Sequence, residues 1–302
     1  MRLSARLDMM TETISPLTSI GAVALTVSDL ERSLNFYQEA LGFSMLDHKT
    51  NTARLGVDGR SLLYLTGRPE ARRVPRTTGL YHFAILVPSR LELAKTLYHL
   101  AEKETPIEGV ADHSVSEALY LSDPDDNGIE IYRDRPQAEW QRDLDGSLHM
   151  GTDPLDLDGL LGELRGDPPE WEGLHPHTRI GHVHLHVSSL PEAEHFYTDV
   201  LGFSLMARMA ASASFVSAGG YHHHIGLNTW VGVGAPPQPP DTIGLRWFSV
   251  HVPDADAIEQ VAGRIRATGL PLPAEGALGE ECPQGLLVHD PSQNGVLLEC
   301  GG

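Results

Sequence analysis

The segment Val27–Leu46 reads VSDLERSLNFYQEALGFSML, and the segment Val187–Met206 reads VSSLPEAEHFYTDVLGFSLM. Nine of the 20 positions are identical, at a constant offset of 160 residues. Each copy opens at a serine or aspartate that can cap a helix, carries Phe-Tyr within the helical pattern, and ends at Leu-Gly-Phe. An alternating strand pattern precedes each copy, at Ile20–Val27 and Ile180–Val187. The chain therefore contains two copies of one folding unit.

A fainter repeat lies inside each unit. The segment His82–Pro88 (HFAILVP) parallels Trp247–Pro253 (WFSVHVP), and each begins a strand that a helical pattern follows. Each unit then ends in Asp-Pro-x-x-Asn-Gly and a final strand, at Asp123–Gly128 and Asp290–Gly295, where Asn-Gly favours a tight turn. The chain is thus predicted to contain four modules, each a strand, a helix and then further strands. They lie near residues 18–68, 79–136, 178–231 and 243–300.

The module pattern also divides the chain into domains. Residues 1–17 are predicted to be a flexible tail, residues 18–136 the N-terminal pair of modules, and residues 178–302 the C-terminal pair. Residues 137–177 are predicted to be a long connector, with one short helical pattern at Leu155–Leu164. A connector of this length exceeds the usual loop between two elements.

Composition restricts the kind of partner. The 302 residues carry a formal net charge of -19, which disfavours binding to nucleic acid and to anionic membranes. No apolar run is long enough for a membrane span, and the two cysteines, Cys282 and Cys300, are too few for a disulfide framework. We therefore expect a cytoplasmic protein that acts on small molecules.

Three histidines alternate with apolar residues in the segment Gly181–Val187 (GHVHLHV). Alternation is typical of a strand, so His182, His184 and His186 share one face. Imidazole is the commonest metal ligand and an acid or base near neutral pH, so this face could serve a reactive site. It could equally be a solvated face, and these residues alone do not decide between the two.

Four βαβββ modules with helices that end in Phe-Tyr and Leu-Gly-Phe resemble the vicinal oxygen chelate superfamily, an α+β fold. This superfamily includes glyoxalases, bleomycin resistance proteins and type I extradiol dioxygenases. The resemblance implies four modules in two tandem repeats, with metal ligands on the first and last strands of a module. The matching first-strand positions are Ala22, His82, His182 and Trp247, and the last-strand positions of the second and fourth modules are Glu130 and Leu297.

The resemblance therefore implies that His82, His182 and Glu130 bind one metal ion. Two imidazoles and a carboxylate form the facial triad of non-haem Fe(II) oxygenases, and the same ligands could hold Mn(II) or another divalent metal. In type I extradiol dioxygenases a tyrosine lies ten residues before the carboxylate ligand, which Tyr120 matches. Their acid/base histidine matches His223 in His-His-Ile-Gly-Leu, and a further histidine before the tyrosine resembles His113.

The remaining histidines and tryptophans are weaker candidates. His184, His186 and Trp247 are expected to line the pocket. His222 and His224 alternate with His223, so they are expected to face away from it and either to cap the pocket or to meet solvent.

The resemblance favours an extradiol dioxygenase of the catechol 2,3-dioxygenase kind, which cleaves a small aromatic diol with O2. One alternative is a metal-dependent glyoxalase-like lyase or isomerase. Such enzymes usually carry a second carboxylate ligand on the partner module, where Gly226 or His224 stands here. The other alternative is a metal-free binding protein similar to the bleomycin resistance proteins. A homo-oligomer is possible under all three.

The implied ligands fall in different halves of the chain. His82, His113, Tyr120 and Glu130 belong to the second module, whereas His182 and His223 belong to the third. We therefore predict that modules 2 and 3 pair to build the site, and that modules 1 and 4 form a pair without metal. The sequence leaves open whether the paired modules belong to one chain or to two chains of a dimer.

Overall fold

The computed structural model describes residues 13–144, 146–166, 170–269 and 285–301. Most of the predicted tail and Cys282 lie outside these residues, whereas Cys300 is an exposed free thiol. No helix in the described ranges is long and apolar enough to cross a membrane.

The elements follow the predicted module order. Module 1 contains β1 (Ser19–Val27), α1 (Leu30–Asn35) continued by a π-helical turn (Phe36–Ala40), β2 (Ser44–His48), β3 (Thr52–Val57) and β4 (Arg60–Gly67). Module 2 contains β5 (Gly79–Leu86), α2 (Arg90–Glu102), β6 (Gly109–Asp112), β7 (Ser116–Ser122) and β8 (Gly128–Asp134). The connector contains a 3-10 turn (Gln137–Glu139), α3 (Leu157–Leu161) and a second 3-10 turn (Gly162–Leu164).

The second half repeats this order. Module 3 contains β9 (Arg179–His186), α4 (Leu190–His195) continued by a π-helical turn (Phe196–Val200), β10 (Ser204–Met209), β11 (Ala213–Ser217) and β12 (Ile225–Asn228). Module 4 contains β13 (Gly244–Val252), α5 (Ala255–Thr268), β14 (Leu286–His289) and β15 (Gly295–Cys300). The remaining strand expected in module 4 would fall in residues 270–284, outside the described residues.

The repeated stretch forms a helix for local reasons. The side chains of Asp29 and Ser189 accept a backbone N–H in the first turn of α1 and α4, at 3.0 and 3.5 Å. Both helices end at a glycine in the left-handed region, Gly42 at φ +79° and Gly202 at φ +93°, where a side chain would be strained. The capping residue and the glycine of the repeat therefore fix the two ends of each helix.

The modules pair across the repeats and not within them. An 8-stranded sheet has the order β10-β11-β12-β9-β5-β8-β7-β6, so it joins module 3 to module 2 through antiparallel β9 and β5. A 7-stranded sheet has the order β14-β15-β13-β1-β4-β3-β2 and joins module 4 to module 1. The predicted pairing of modules 2 and 3 is confirmed, and it occurs within one chain. We call these the 2/3 sheet and the 1/4 sheet.

One hydrophobic core includes residues of both sheets. Leu25 of β1, Phe83 of β5, Leu185 of β9 and Phe248 of β13 all belong to it, and none is exposed to solvent. Because side chains alternate along a strand, the histidines of β9 lie on the opposite face of the 2/3 sheet. The core thus holds one face of each sheet and leaves the other face available for a site.

A tyrosine–aspartate hydrogen bond links the two modules of each repeat. The hydroxyl of Tyr37, in the Phe-Tyr motif of module 1, donates to Asp123 Oδ2 of module 2 at 2.8 Å. Tyr197 donates likewise to Asp290 Oδ2 of module 4 at 3.2 Å. Both aspartates begin the Asp-Pro-x-x-Asn-Gly turns, and all four residues are buried. The two repeated motifs are therefore in direct contact.

We expect Tyr37→Phe to lower the free energy of unfolding by about 1–3 kcal/mol, because it leaves a buried carboxylate short of one donor. Urea unfolding followed by circular dichroism measures this change. Tyr197→Phe should behave similarly in the second repeat. A change below about 0.5 kcal/mol in both variants, which is typical of neutral surface substitutions, would show that these bonds do not stabilise the repeat.

Candidate metal centre

Four neighbouring strands of the 2/3 sheet place His182, Ala84, Glu130 and Tyr120 in one row. Ala84 pairs with His182 on β9 and with Glu130 on β8, and Glu130 pairs with Tyr120 on β7. Neighbouring strands lie about 4.8 Å apart, so the backbones of His182 and Glu130, on either side of β5, are about 10 Å apart. The small side chain of Ala84 leaves room for them to meet. His82, two residues away on β5, shares this face.

The three predicted ligands converge above Ala84. Glu130 Oε2 lies 3.0 Å from His182 Nε2 and 3.1 Å from His82 Nε2. One ligand atom from each residue lies within 4.8 Å of the others. The exposed fractions are 6% for His82, 2% for Glu130 and 1% for His182. Residues that are up to 100 positions apart in sequence therefore meet at one buried site.

The donor set fits a divalent metal ion. His82 Nε2 is buried and makes no hydrogen bond of acceptable geometry, although it lies beside the Glu130 carboxylate. Burial acts to raise the pKa of Glu130, but the adjacent His182 and His82 outweigh it and hold that pKa well below its usual value. Burial lowers the pKa of His182 to about 4. A charged carboxylate and a neutral imidazole are the forms that bind metal.

Tyr120 and His113 are brought together beside the cluster. His113 Nε2 lies 2.7 Å from the Tyr120 hydroxyl, and His113 Nδ1 lies 2.8 Å from the carbonyl oxygen of Gly151 in the connector. A carbonyl only accepts, so Nδ1 carries the proton and Nε2 accepts from the phenol. Burial and then the charge of Glu130 raise the pKa of Tyr120 well above its usual value. The phenol therefore stays protonated.

His223 lies on the opposite side of the cluster. Its ring centroid is 4.1 Å from that of His182 and 5.1 Å from that of Phe215. Burial and then the neighbouring imidazoles lower the pKa of His223 well below its usual value, so the ring is neutral at pH 7. His223, the implied acid/base, and Tyr120, the implied hydrogen-bond donor, therefore both lie near the cluster.

A cavity of about 370 Å³ opens onto the cluster. His82, Glu130, Tyr120, His113 and His223 all line it. Its other walls are mostly apolar. They include Val110, Ala111, Val115, Met150, Met209, Phe215 and Trp230.

The three expected lining residues have different positions. His184 lines the cavity, within ring-contact distance of Tyr81, Phe215 and Trp230. His186 has its ring centroid 5.2 Å from that of Tyr81 and its Nδ1 2.7 Å from Asn228 Oδ1, and it is not among the lining residues.

The expectation for Trp247 is wrong. This residue lies on β13 in the 1/4 sheet, where it packs against Ala22, Ala24 and Leu297, and its ring centroid lies 5.2 Å from that of Tyr64 with the rings tilted by 52°. The positions that correspond to the ligands are therefore filled by an apolar cluster in the 1/4 sheet.

Neither neighbour of His223 meets solvent. His222 is fully buried, and its Nε2 lies 2.9 Å from Asp134 Oδ1. His224 is buried, and its Nδ1 lies 2.9 Å from the Ser217 hydroxyl. Neither residue lines the cavity, but both lie in packed and hydrogen-bonded surroundings in the loop before β12.

Sequence reasoning missed the part played by the connector. Met150, Gly151 and Thr152 line the cavity, and the Gly151 carbonyl orients His113. This segment has no periodic pattern, so no signal in the sequence marks it. Tyr81, next to His82, also lines the cavity and could have been found from its position at the start of β5.

Comparisons with known proteins decide the family. The model of the Glyoxalase/Bleomycin resistance protein/Dioxygenase superfamily matches residues 19–131 and 179–298. The chain belongs to this superfamily. A curated member, "Catechol-2,3-dioxygenase" of Bacillus subtilis (strain 168), is 49% identical over 278 residues, which cover 91% of this chain and 94% of that protein. The superfamily fold, the predicted repeat and the α+β class are thereby confirmed.

Solved structures agree on the fold. Glyoxalase I from Zea mays superposes with a TM-score of 0.56 at 18% identity, over 93% of this chain and 92% of that chain. The cppA protein from Streptococcus pneumoniae TIGR4 superposes with a TM-score of 0.53 at 17% identity, over 94% of this chain and 99% of that chain. At such identities the likeness to these structures concerns the fold alone.

Proposed function

We propose that this protein is an extradiol ring-cleaving dioxygenase that uses Fe(II) and O2 to open a small catechol. The observation that carries the proposal is the convergence of His82, His182 and Glu130 beside a cavity that His82, Glu130, His223 and Tyr120 line. The 49% identity to a protein named catechol-2,3-dioxygenase supports the same reaction class.

The ligand residues define the metal chemistry. His82, His182 and Glu130 would hold Fe(II), which would supply Lewis acidity toward a diol and the redox chemistry that activates O2. A divalent metal fits the donor set, and the choice of iron follows from the proposed reaction. The protein's own part is to keep the ligand face buried and to leave one side of it open to the cavity.

His223 and Tyr120 supply the proton chemistry. The neutral ring of His223 accepts a proton from a hydroxyl of the diol and returns it later, which is general base and then general acid catalysis. When substrate binds, the Tyr120 hydroxyl turns its single proton from His113 Nε2 to the diol oxygen that becomes negatively charged. His113, bonded to Tyr120 and to the Gly151 carbonyl, holds the phenol in position.

The cavity walls favour an uncharged catechol. Among the described residues that line the cavity, none is a lysine or an arginine. A carboxylate on the substrate would lose its water there without gaining a cation, which is costly. Phe215, Trp230 and Met150 offer apolar surface to the ring and to small alkyl substituents.

Neither alternative explains the site as well. A glyoxalase-like reaction usually uses a second carboxylate ligand, and Gly226 on β12 stands beside His184 at that part of the sheet. Within the described residues the ligand cluster contains one carboxylate. A metal-free binding protein leaves a buried carboxylate and two buried imidazoles without a purpose.

Oxygen uptake by the protein loaded with Fe(II) under anaerobic conditions tests the proposal. We expect consumption of one O2 per catechol and the appearance of a yellow ring-fission product when air is admitted. Protein loaded with Zn(II) serves as the control, since zinc has no redox chemistry. Absence of uptake with a panel of uncharged catechols, in protein shown to hold one Fe(II), contradicts the proposal.

A further inference from the structure

A buried chain of hydrogen bonds runs from His223 away from the cavity. His223 Nδ1 lies 2.8 Å from His222 Nδ1, and His222 Nε2 lies 2.9 Å from Asp134 Oδ1. His222 has no solvent exposure. Asp134 is the last residue of β8 in module 2, whereas both histidines belong to module 3. This series of hydrogen bonds therefore joins module 2 to module 3, the two modules that also supply the metal ligands.

The carboxylate sets the direction of every proton in this chain. An ionised carboxylate only accepts, so His222 Nε2 must donate to Asp134. When His222 carries one proton, that proton is on Nε2, and its bare Nδ1 accepts from the Nδ1–H of His223. The remaining nitrogen of His223, Nε2, is left without a proton.

The carboxylate is itself held in place. The Tyr221 hydroxyl donates to Asp134 at 2.9 Å to Oδ2 and 3.1 Å to Oδ1, and the Tyr132 hydroxyl lies 2.7 Å from that of Tyr221. A Cβ at position 181 would lie 1.8 Å from the Tyr132 hydroxyl, so Gly181 is needed for this contact. The position of Asp134 is therefore fixed from a second side.

We propose that Asp134 and His222 are positioning residues that keep His223 in the tautomer with its proton on Nδ1 and a bare Nε2. This inference rests on the proposed function, in which His223 accepts the proton of the diol. Only a bare Nε2 can accept that proton, because Nδ1 is occupied by His222. When Nε2 has gained its proton, the Nδ1–H···His222 bond and the nearby carboxylate stabilise the cation.

Asp134→Asn tests the tautomer directly. Its amide can donate to His222 Nε2, which moves the protons of both imidazoles and leaves His223 with a proton on Nε2. In the wild-type chain we expect Nδ1 of His223 to give the ¹⁵N resonance of a protonated nitrogen and Nε2 that of an unprotonated one. In the variant we expect the reverse. The measurement uses the full chain labelled at histidine and loaded with Zn(II), which is diamagnetic. The His223→Phe spectrum assigns the resonances.

Kinetics of the Fe(II)-loaded protein gives the second readout. We expect Asp134→Asn to lower kcat by about 10- to 100-fold, the range seen when residues that orient metal ligands are removed. KM and metal content should change little, since the ligands and the cavity wall are intact. Asp134→Glu keeps a carboxylate and should recover part of the rate. Tyr221→Phe removes a bond to the same carboxylate but keeps its charge, so it should retain the wild-type tautomer.

The outcomes separate this inference from the proposed function. A His223 ring that carries its proton on Nε2 in the wild-type chain, or a tautomer unchanged by Asp134→Asn, overturns the inference. An unchanged kcat in a variant whose tautomer has reversed also overturns it. If the wild-type chain shows the expected tautomer but consumes no O2 with any catechol, the proposed function fails while the hydrogen-bond chain stands.

Discussion

Glu130→Ala is expected to lose its metal ion and its ring-cleaving activity together, while the chain remains folded. The carboxylate supplies the only negative ligand in the described cluster, and both imidazoles approach the same oxygen. Loss of a direct ligand should weaken metal binding by more than the roughly 10- to 100-fold caused by outer-shell changes. Metal analysis after dialysis, oxygen uptake and circular dichroism measure the three quantities.

The chain offers a matched control in the other sheet. Glu299 of β15 lies 3.0 Å from His251 Nε2, so Glu299→Gln also removes a charged partner from a histidine. This pair belongs to the 1/4 sheet, and the variant should keep its metal and its rate. A full equivalent of Fe(II) retained at the same site by Glu130→Ala is incompatible with the proposed triad. If Glu130→Ala unfolds, Glu130→Gln, which keeps the shape of the side chain, gives the same test.

His223→Phe is expected to keep its metal and bind catechol, yet to cleave it about 10²–10⁴ times more slowly, the usual loss for a general acid or base. Phenylalanine fills the space of the imidazole beside Phe215 but cannot accept a proton. Single-turnover kinetics with the Fe(II)-loaded protein measures the rate, and titration with catechol in the absence of O2 measures binding.

His195→Phe serves as the control for this substitution. His195 is exposed on α4, pairs with Asp199 at 2.7 Å and is not among the residues that line the cavity. A wild-type rate in His223→Phe removes this residue from the proton chemistry. If His223→Phe loses the metal ion, His223 is a metal ligand and not a base.

The sequence predicts most of the fold because the determining features are local. Helix caps, the Leu-Gly-Phe ends and the Asp-Pro-x-x-Asn-Gly turns each lie within a few residues, and they repeat. The implied ligands are divided between module 2, which contains His82 and Glu130, and module 3, which contains His182. This division also predicts the pairing of modules 2 and 3. The 2/3 sheet confirms this pairing.

Features that depend on contacts across the chain could not be predicted. Trp247 was assigned to the pocket from its first-strand position, but β13 pairs with β1 and not with β5 or β9. Met150 enters the cavity from a connector without periodic pattern. The bond between Asp134 and His222 joins residues 88 positions apart, and neither residue has a motif that marks it.

The central claim is that His82, Glu130 and His182, from two repeats of one chain, bind one metal ion. An anomalous difference map at the iron edge, from crystals loaded with Fe(II) under anaerobic conditions, tests it most directly. We expect one peak bonded to Glu130 and to both imidazoles at roughly 2.0–2.2 Å, distances usual for such ligands, and no peak beside Trp247 and Leu297. Iron bound elsewhere, or held by only one of the two repeats, contradicts the account.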